Sequence, residues 1–404
     1  MCSRWSSGAL RQKEGKTKAQ EICHLQAHSY ITFSHNLNIN VPIWWTTIAS
    51  LAFGIMLSFR CALVVLVLAV GAVASSGDSS SDFQRCVTGC STHTCLSSST
   101  LPFALQLTRW TCTDDCNYKC MHAITDRAIQ QGDPIQQYFG KWPFWRFGGM
   151  QEPASVAFSL FNLWFYARGA LEVRKRIPDK HPMKSYYFIW SLVCMNAWIW
   201  SSVFHTRGEL SDQYRANNIR LISMTDLPLT EKLDYFSAAL SIGYGLYYTA
   251  IRLFHLYPLQ DSTTSTRSLY WVWSFVCIFA YFIHVSYLML LPRFDYSYNM
   301  AFNLVVGLSH NALWLLYSLP ASMSMFRRFP SKPKSYRPVY AGKAAIFVAL
   351  TTAATSLELF DFPPWARVID AHSLWHLSTA PIAMFWFHFL VEDALDDGWR
   401  GIKV

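Results

Sequence analysis

Residues 186–207 read YYFIWSLVCMNAWIWSSVFHTR, and the part from 186 to 204 contains no charged side chain. A helix that crosses a bilayer takes about 20 predominantly apolar residues, so this run predicts a transmembrane helix that ends beside a histidine. The chain contains six further runs of this kind, and the seven predicted spans are 154–171, 186–204, 233–254, 269–291, 298–319, 344–360 and 371–390. The sequence therefore predicts an all-α membrane protein with seven transmembrane helices. The sixth span is the weakest, because Glu358 and Asp361 crowd its end.

The overall composition agrees with a membrane protein. Hydrophobic residues make up 52% of the 404 residues and charged residues only 15%, which is too little charge for a soluble domain. The net charge of +9 could indicate nucleic-acid binding, but the Lys and Arg residues lie in short loops between the apolar runs. We therefore interpret the basic charge as a signal for membrane orientation and expect no nucleic-acid partner.

Residues 56–74 predict a signal peptide rather than a membrane span. Met56 is followed by a short charged segment, the apolar run CALVVLVLAVGAVA and a small-residue cleavage site at 72–74. Met56 is then the natural start of the protein, and residues 1–55 are an upstream extension. The alternative is that 41–74 forms a membrane anchor, and a mature N-terminus near Ser75 would distinguish the two.

A cysteine-rich segment, residues 75–153, lies between the signal peptide and the first span. An even number of cysteines directly after a signal peptide predicts a disulfide framework in an oxidising lumen. A zinc cluster is the alternative, but the C-x3-C and C-x4-C spacings differ from the usual C-x2-C. The pairing itself stays open. The six cysteines are Cys86, Cys90, Cys95, Cys112, Cys116 and Cys120.

The basic loops predict the orientation of the seven-helix domain, residues 154–392. One loop follows the first span and the other follows the fifth, so both lie on the same side of the membrane. If the cysteine-rich segment is luminal, both loops and the tail at 393–404 are cytosolic, as the positive-inside rule requires. The basic residues are Arg174, Lys175, Arg176, Lys180 and Lys184 in the first loop, and Arg327, Arg328, Lys332, Lys334, Arg337 and Lys343 in the second.

Five polar residues lie near span ends that this orientation places together in the lumen. Ser201 and His205 close the second span, Asp234 opens the third, and His372 and His376 open the seventh. Residues four apart share one face of a helix, so each pair projects to one side. Ionisable residues at membrane depth are costly and need a partner or a function. We therefore expect the five side chains to meet at one luminal site.

Three neutral imidazoles with a fourth position left open are typical of catalytic zinc. A bound Zn²⁺ lowers the pKa of its water to about 7, which makes hydroxide available to attack a carbonyl. His205, His372 and His376 are the expected ligands, Asp234 the general base, and Ser201 the group that orients the water or the developing oxyanion. Each histidine alone could instead cap a helix or bond a carbonyl. Their joint placement favours the metal site.

From Asp82 to the C-terminus, the chain resembles the GPI-specific phospholipase A2-like proteins of the post-GPI attachment to proteins factor three family. This family belongs to the CREST superfamily of seven-span hydrolases. Besides the cysteine-rich segment, the resemblance is carried by GKWPFWRFGGMQEPASVAFSLFN (140–162), NAWIWSSVFHTR (196–207), DLPLTEKLDYF (226–236), RFDYSYN (293–299) and LELFDFPPWARVIDAHSLWHLSTAP (357–381).

The resemblance implies a phospholipase A2-type reaction that removes the unsaturated sn-2 acyl chain from GPI-anchored proteins in the Golgi or endoplasmic reticulum. It also implies that the superfamily's Ser-x3-His falls on Ser201 and His205, its aspartate on Asp234, and its His-x3-His on His372 and His376. Two rivals remain. One is a ceramidase-like amidase, and the other is a non-catalytic receptor or trafficking factor that recognises GPI-anchored proteins through the cysteine-rich segment.

One stretch departs from the family pattern. Residues 208–225 separate the HTR sequence from the DL that precedes TEK, where the family runs almost directly from one to the other. The stretch is either a surface loop or a translated short intron. If it is translated, we expect it to impair the activity of this form of the protein, because it separates His205 from Asp234.

Overall fold

Helices form the regular structure of the computed structural model, which describes residues 77–95, 100–207, 229–257, 264–291 and 294–400. Within these ranges no β-sheet forms. Three helices precede the first predicted span: α1 (Ser81–Cys90), α2 (Phe103–Leu107) and α3 (Cys112–Gln131). Seven longer helices follow: α4 (Pro153–Arg176), α5 (Lys184–Thr206), α6 (Leu229–Leu253), α7 (Thr264–Leu290), α8 (Tyr296–Ser318), α9 (Gly342–Leu359) and α10 (Ala371–Ala394).

Each long helix contains one of the seven predicted spans or nearly all of it. At a rise of 1.5 Å per residue, the shortest of them, with 18 residues, covers about 27 Å, close to the thickness of a hydrocarbon core. Five segments are long and apolar enough to cross a membrane by composition: Lys184–Thr206, Thr264–Leu290, Tyr296–Ser318, Val339–Leu359 and Ala371–Ala394. The predicted fold class, an all-α membrane protein, is confirmed.

Six of the long helices form a closed ring. Neighbours pack in the order α4, α5, α6, α8, α9 and α10, and α10 returns to α4, while α7 packs against the outside of α6. A close approach joins α4 to α10, because a Cβ at Gly169 would lie 2.1 Å from the Phe387 ring. Only glycine permits this contact. It holds the inner face of α4 against the inner face of α10.

The cysteine-rich segment folds around three nested disulfides. Cys86 pairs with Cys120, Cys90 with Cys116 and Cys95 with Cys112, so α1 and the turn after it run antiparallel to α3. The predicted disulfide framework is confirmed, and the zinc-cluster alternative is excluded because all six sulfurs are paired. We call the described residues from 77 to 152 the disulfide module.

The disulfide module packs against one end of the helix ring, which we call the module face. The side chains of Gln137 and Trp142 both donate to Asp361, at 2.7 and 2.8 Å, in the loop between α9 and α10. Arg367 of the same loop donates to Asp126 at 2.6 Å. At this face α4, α6, α8 and α10 begin, and α5 and α9 end. The arrangement follows the alternation of seven consecutive spans.

Three predictions lie outside the described residues. They are the upstream extension at 1–55, the signal peptide at 56–74 and the inserted stretch at 208–225. The division of the chain into luminal and cytosolic parts also remains a prediction.

Candidate metal centre

Three imidazole rings meet at the module face. His205 lies in the last turn of α5, and His372 and His376 lie in the first two turns of α10. The Nε2 atom of His372 is 3.2 Å from that of His205 and 2.9 Å from that of His376. One ring nitrogen from each residue lies within 4.8 Å of the others. The structure thus brings together the three histidines that the sequence proposed as ligands. We call them the histidine centre.

The start of α10 is fixed by a capping box, which sets the positions of two of these rings. The Asp370 carboxylate accepts from the Ser373 backbone N–H at 2.8 Å, and the Ser373 hydroxyl accepts from the Asp370 backbone N–H at 3.0 Å. This pairing satisfies two orphan donors of the first turn. It places His372 in the first turn, and His376 follows one turn later on the same side.

Two carboxylates, one buried and one partly buried, orient the rings from behind. Nδ1 of His205 lies 2.8 Å from Oε2 of Glu152, and Nδ1 of His372 lies 2.6 Å from Oε2 of Glu358. Because an ionised carboxylate only accepts hydrogen bonds, both Nδ1 atoms carry the proton. The two Nε2 atoms then present lone pairs toward the middle of the centre. Such carboxylate–histidine pairs are typical of metal ligands.

Backbone hydrogen bonds explain why Glu152 reaches His205. The chain entering α4 runs past the end of α5, where the last carbonyls of a helix lack partners. The backbone N–H of Gln151 donates to the Thr206 carbonyl at 2.9 Å, and that of Glu152 donates to the His205 carbonyl at 3.1 Å. The carboxylate is therefore placed beside the imidazole by the same contact that caps α5.

The geometry fits a zinc ion. Two imidazole lone pairs 3.2 Å apart repel each other unless a proton or a cation lies between them. A single proton can bridge only two nitrogens, whereas here Nε2 of a third ring, that of His376, also lies next to Nε2 of His372. Tetrahedral Zn²⁺, with Zn–N distances of about 2.0–2.1 Å, separates its nitrogens by about 3.3 Å. The donor set and its spacing therefore suit Zn²⁺ with one coordination position left open.

Two serines, one on α4 and one on α5, form a chain of hydrogen bonds to the centre. Nδ1 of His376 is 2.8 Å from Oγ of Ser159, which is 3.1 Å from Oγ of Ser201. Ser201 is buried and is linked to the histidine centre by hydrogen bonds through Ser159. The predicted role of Ser201 at the oxyanion therefore stays a prediction, and Ser159 is a residue that the sequence analysis missed.

Asp234 lies at the start of α6, close enough to interact electrostatically with His372, Lys141 and Glu152. Its side chain is partly buried. Among the described residues its carboxylate makes no hydrogen bond or ion pair. Asp234 is thus within electrostatic range of the centre, in the first turns of α6.

The disulfide module adds a cation to the site. Lys141 forms an ion pair with Glu152, and its Nζ lies 4.2 Å from the centre of the Phe204 ring. Burial raises the pKa of Glu152, but Lys141 and His205 outweigh it and hold that pKa below its usual range. Glu152 is therefore ionised, as an acceptor for His205 must be.

Sequence reasoning missed Glu152, Glu358, Ser159 and Lys141. Glu358 was noted only as a charge that weakened the sixth span, although a carboxylate at a span end is a signal for a partner. Ser155, Ser159 and Asn162 also recur at helical spacing inside an apolar span. Such a stripe marks the side of α4 that faces the bundle.

Comparison with known proteins identifies the family of this chain. The model of the Per1-like family matches residues 102–212 and 220–394. The chain belongs to the Per1-like family. Its relatives include the protein PER1 homolog of Schizosaccharomyces pombe, which is 39% identical over 334 residues covering 81% of this chain and 90% of the relative.

Animal relatives of this Per1-like chain carry a more specific name. The GPI-specific phospholipase A2-like PGAP3 of Xenopus laevis is 36% identical over 339 residues, and that of Homo sapiens is 35% identical over 341 residues. Each alignment covers 82% of this chain and 94% of the relative. No solved structure matches the chain.

The match to the Per1-like family is interrupted at residues 213–219. This gap lies inside the stretch 208–225 that the sequence analysis marked as an insertion. The family match resumes before Asp234, so the three histidines and the aspartate all lie within matched residues.

Proposed function

We propose that this protein remodels the lipid of GPI-anchored proteins by hydrolysing the unsaturated sn-2 fatty acyl ester, with Zn²⁺ held by His205, His372 and His376. The observation that carries the proposal is the convergence of three imidazole Nε2 atoms at the membrane face where the disulfide module packs. The names of the animal relatives supply the substrate class.

The depth of the site suits an ester of a membrane lipid. The acyl esters of a phospholipid lie near the boundary between headgroups and hydrocarbon. The histidine centre lies at the ends of helices α5, α9 and α10, which meet at that boundary. A lipid therefore brings its ester to the centre without leaving the bilayer.

When bound, Zn²⁺ polarises the ester carbonyl and makes a water molecule acidic enough to act near neutral pH. Glu152 and Glu358 keep Nε2 of His205 and of His372 unprotonated and fixed in direction. Asp234 accepts a proton from water and returns it to the leaving alcohol. Ser201, held by Ser159, faces the developing negative charge on the carbonyl oxygen.

The test uses the purified full-length protein in detergent micelles or nanodiscs. The His376→Ala variant is compared with His388→Ala, an exposed histidine three turns further along the same helix. We expect the unmutated protein and His388→Ala to contain about one zinc per chain and to release the unsaturated fatty acid from a GPI-anchored protein. His376→Ala should lose both.

Each of the following results would contradict the proposal. Zinc absent from the unmutated protein would remove the metal-assisted mechanism. Release of the fatty acid by His376→Ala at the unmutated rate would place the chemistry outside the histidine centre. Binding of GPI-anchored proteins without release by any form of the protein would favour the non-catalytic receptor or trafficking factor. Release of fatty acid from ceramide, but not from the GPI lipid, would identify the amidase.

A further inference from the structure

The disulfide module carries three large apolar side chains that no other described part of the chain covers. Phe103 and Leu107 of α2 are 77% and 71% exposed, and Phe147, in the turn before α4, is 71% exposed. We call these three residues the apolar edge. They lie outside the seven long helices, so a transmembrane helix does not explain their exposure. A cluster of exposed apolar side chains on a folded module marks a surface that contacts a partner or a membrane.

The apolar edge is one surface, because α2 and the turn before α4 pack together. A Cβ at Gly149 would lie 2.7 Å from the Ala104 carbonyl oxygen, so only glycine lets the turn come this close to α2. The indole of Trp110 also donates to the Gly149 carbonyl at 2.8 Å. The turn itself is closed by two backbone hydrogen bonds between Phe147 and Met150, of 2.9 and 3.0 Å. The apolar edge therefore has a fixed shape.

The short helix α2 carries apolar side chains on opposite sides. On the inner side Leu105 is buried in one cluster with Trp110. Phe103 and Leu107, four residues apart, share the outer side. A helix of this kind needs an apolar environment on each side. On α1, by contrast, every fully exposed position holds a polar residue, as an aqueous surface favours.

The apolar edge lies at the level of the membrane boundary. Arg207, directly after α5, donates to the Arg109 carbonyl and, at 2.7 Å, to Asp114 at the start of α3. The end of α2 is thus tied to the end of a membrane helix. Lipid-facing side chains on α5 continue to Val203, which is 41% exposed and lies about 6 Å from Arg207 along the helix axis. The region between hydrocarbon and water is about 5–8 Å thick on each side of a bilayer, and α2 lies within it.

A basic side chain accompanies the apolar edge. Arg109 lies two residues after α2 and is exposed, and its side chain forms no ion pair with the described residues. Apolar side chains flanked by arginine are typical of elements that lie in the headgroup region, where the arginine extends to lipid phosphates. Because the apolar edge already lies at this depth, the bilayer covers it without a further partner.

We propose that the disulfide module binds the membrane surface through the apolar edge, whose three side chains insert into the headgroup region beside α5 while Arg109 contacts lipid phosphates. The module then has two attachments, its hydrogen bonds to the helix ring and this contact with lipid. The second attachment fixes the height of the segment that supplies Lys141 and Glu152 to the histidine centre. The inference goes beyond the proposed function and does not depend on hydrolysis.

The test places a fluorescent amino acid at single positions of the full-length protein in nanodiscs. Position 107 is compared with position 85, because the Arg85 side chain on α1 is 76% exposed and thus similarly accessible. Lipids brominated in the upper part of their acyl chains quench probes within the bilayer, and iodide quenches probes in water. We expect brominated lipid to quench the probe at 107 at least about twofold more than the probe at 85, and iodide to show the reverse order.

Position 147 provides a second probe on a separate segment of the apolar edge, in case a probe at 107 disturbs the module. Each labelled protein should keep the melting temperature of the unmutated one. Quenching by iodide at 107 and 147 as strong as at 85, without quenching by lipid, would overturn the inference. Protection from iodide that arises only when a GPI-anchored protein is added would assign the surface to a protein partner and overturn it as well.

A substitution tests the apolar edge from its other segment. Leu107→Asp places a charge in the headgroup region and should lower the lipid quenching of a probe at 147 about twofold. Thr88→Asp, at an exposed position of α1, is the matched control and should leave this quenching unchanged. Equal quenching in both variants would contradict a surface shared by α2 and the turn.

The quenching measurement is independent of the metal centre. The His376→Ala variant should show the same lipid contact at 107 and 147 as the unmutated protein. Loss of zinc and activity in that variant with unchanged quenching is the expected result. Absence of lipid quenching in a protein that binds zinc and releases fatty acid would overturn this inference and leave the proposed function intact.

Discussion

The two ends of the helix ring each contain a buried polar cluster, and the two clusters are built differently. At the end away from the disulfide module, the guanidinium of Arg252 binds both carboxylate oxygens of Asp393, at 2.6 and 2.8 Å, and neither side chain is exposed. It also donates to the Arg328 carbonyl at 2.8 Å, and the Tyr317 hydroxyl donates to Asp393. We call these four residues the arginine cluster.

Hydrogen bonding distinguishes the arginine cluster from the histidine centre. In the arginine cluster each charged donor meets an acceptor within the protein. In the histidine centre the outer nitrogens are satisfied by Glu152, Glu358 and Ser159, but the three Nε2 atoms point at one another. A satisfied buried network makes the fold specific and rigid, whereas convergent unsatisfied groups call for a ligand. Burial of polar groups alone therefore does not identify a functional site.

The largest expected effect is on catalysis at the histidine centre. His205→Ala removes one ligand and leaves Glu152 paired with Lys141, so activity on a GPI lipid should fall by about 10³-fold or more. The zinc content should fall with it, while the melting temperature changes little. A large fall in melting temperature together with the loss of activity would show that the centre is structural, like the arginine cluster.

The opposite outcome is expected at the arginine cluster. Arg252→Met leaves the Asp393 carboxylate buried without its cation, which destabilises a protein by about 3–5 kcal/mol. Thermal unfolding should show the loss, whereas the zinc content per folded molecule should be unchanged. The double variant Arg252→Met/Asp393→Leu should recover much of the stability, since no unpaired charge then remains. If the stability is not recovered, Arg252 stabilises the fold through contacts other than its ion pair with Asp393.

A smaller effect is expected when the support of a ligand is changed. Glu358→Gln keeps a hydrogen-bond acceptor for Nδ1 of His372 but removes the negative charge, so zinc affinity should fall about 10–100-fold. Equilibrium titration against a zinc chelator would measure this change. Glu392→Gln, a half-exposed carboxylate paired with Lys343, is the matched control and should leave zinc affinity unchanged. Equal effects of the two variants would contradict a specific role for Glu358.

The contact between the disulfide module and the loop before α10 should respond to pH. His122 accepts from Arg367 at 2.9 Å and donates to the Phe144 carbonyl at 3.0 Å, which requires a neutral ring. Burial lowers the pKa of His122 to about 4. The unfolded chain therefore binds more protons than the folded one. The contribution of this contact to the free energy of unfolding is complete above about pH 6.5 and is lost as the pH falls toward 4.

At pH 5 this loss amounts to about 2 kcal/mol. Melting temperatures measured between pH 7 and 5 would report it. His122→Gln keeps one donor and one acceptor, and should flatten the pH dependence. An equally steep pH dependence in that variant would show that groups other than His122 cause it.

The residues along the chain determined the helices and the ends at which the polar groups lie. Seven apolar runs predict seven helices, because a bilayer accepts only segments that satisfy their own backbone. Strict alternation of those helices then places His205, His372 and His376 at one membrane face, and the i,i+4 spacing aligns the last two. The paired state of the six cysteines followed from their number and their position after a signal peptide.

Only the tertiary structure decided which side chains touch. The pairing of Cys86 with Cys120 and the contacts of Glu152, Glu358 and Ser159 with the three histidines join residues that are far apart in sequence or lie on different helices. These contacts depend on which helices are neighbours in the ring and on their rotation about their axes. Helix periodicity fixes which residues share a face, but the packing of the ring, including the close approach at Gly169, sets what that face meets.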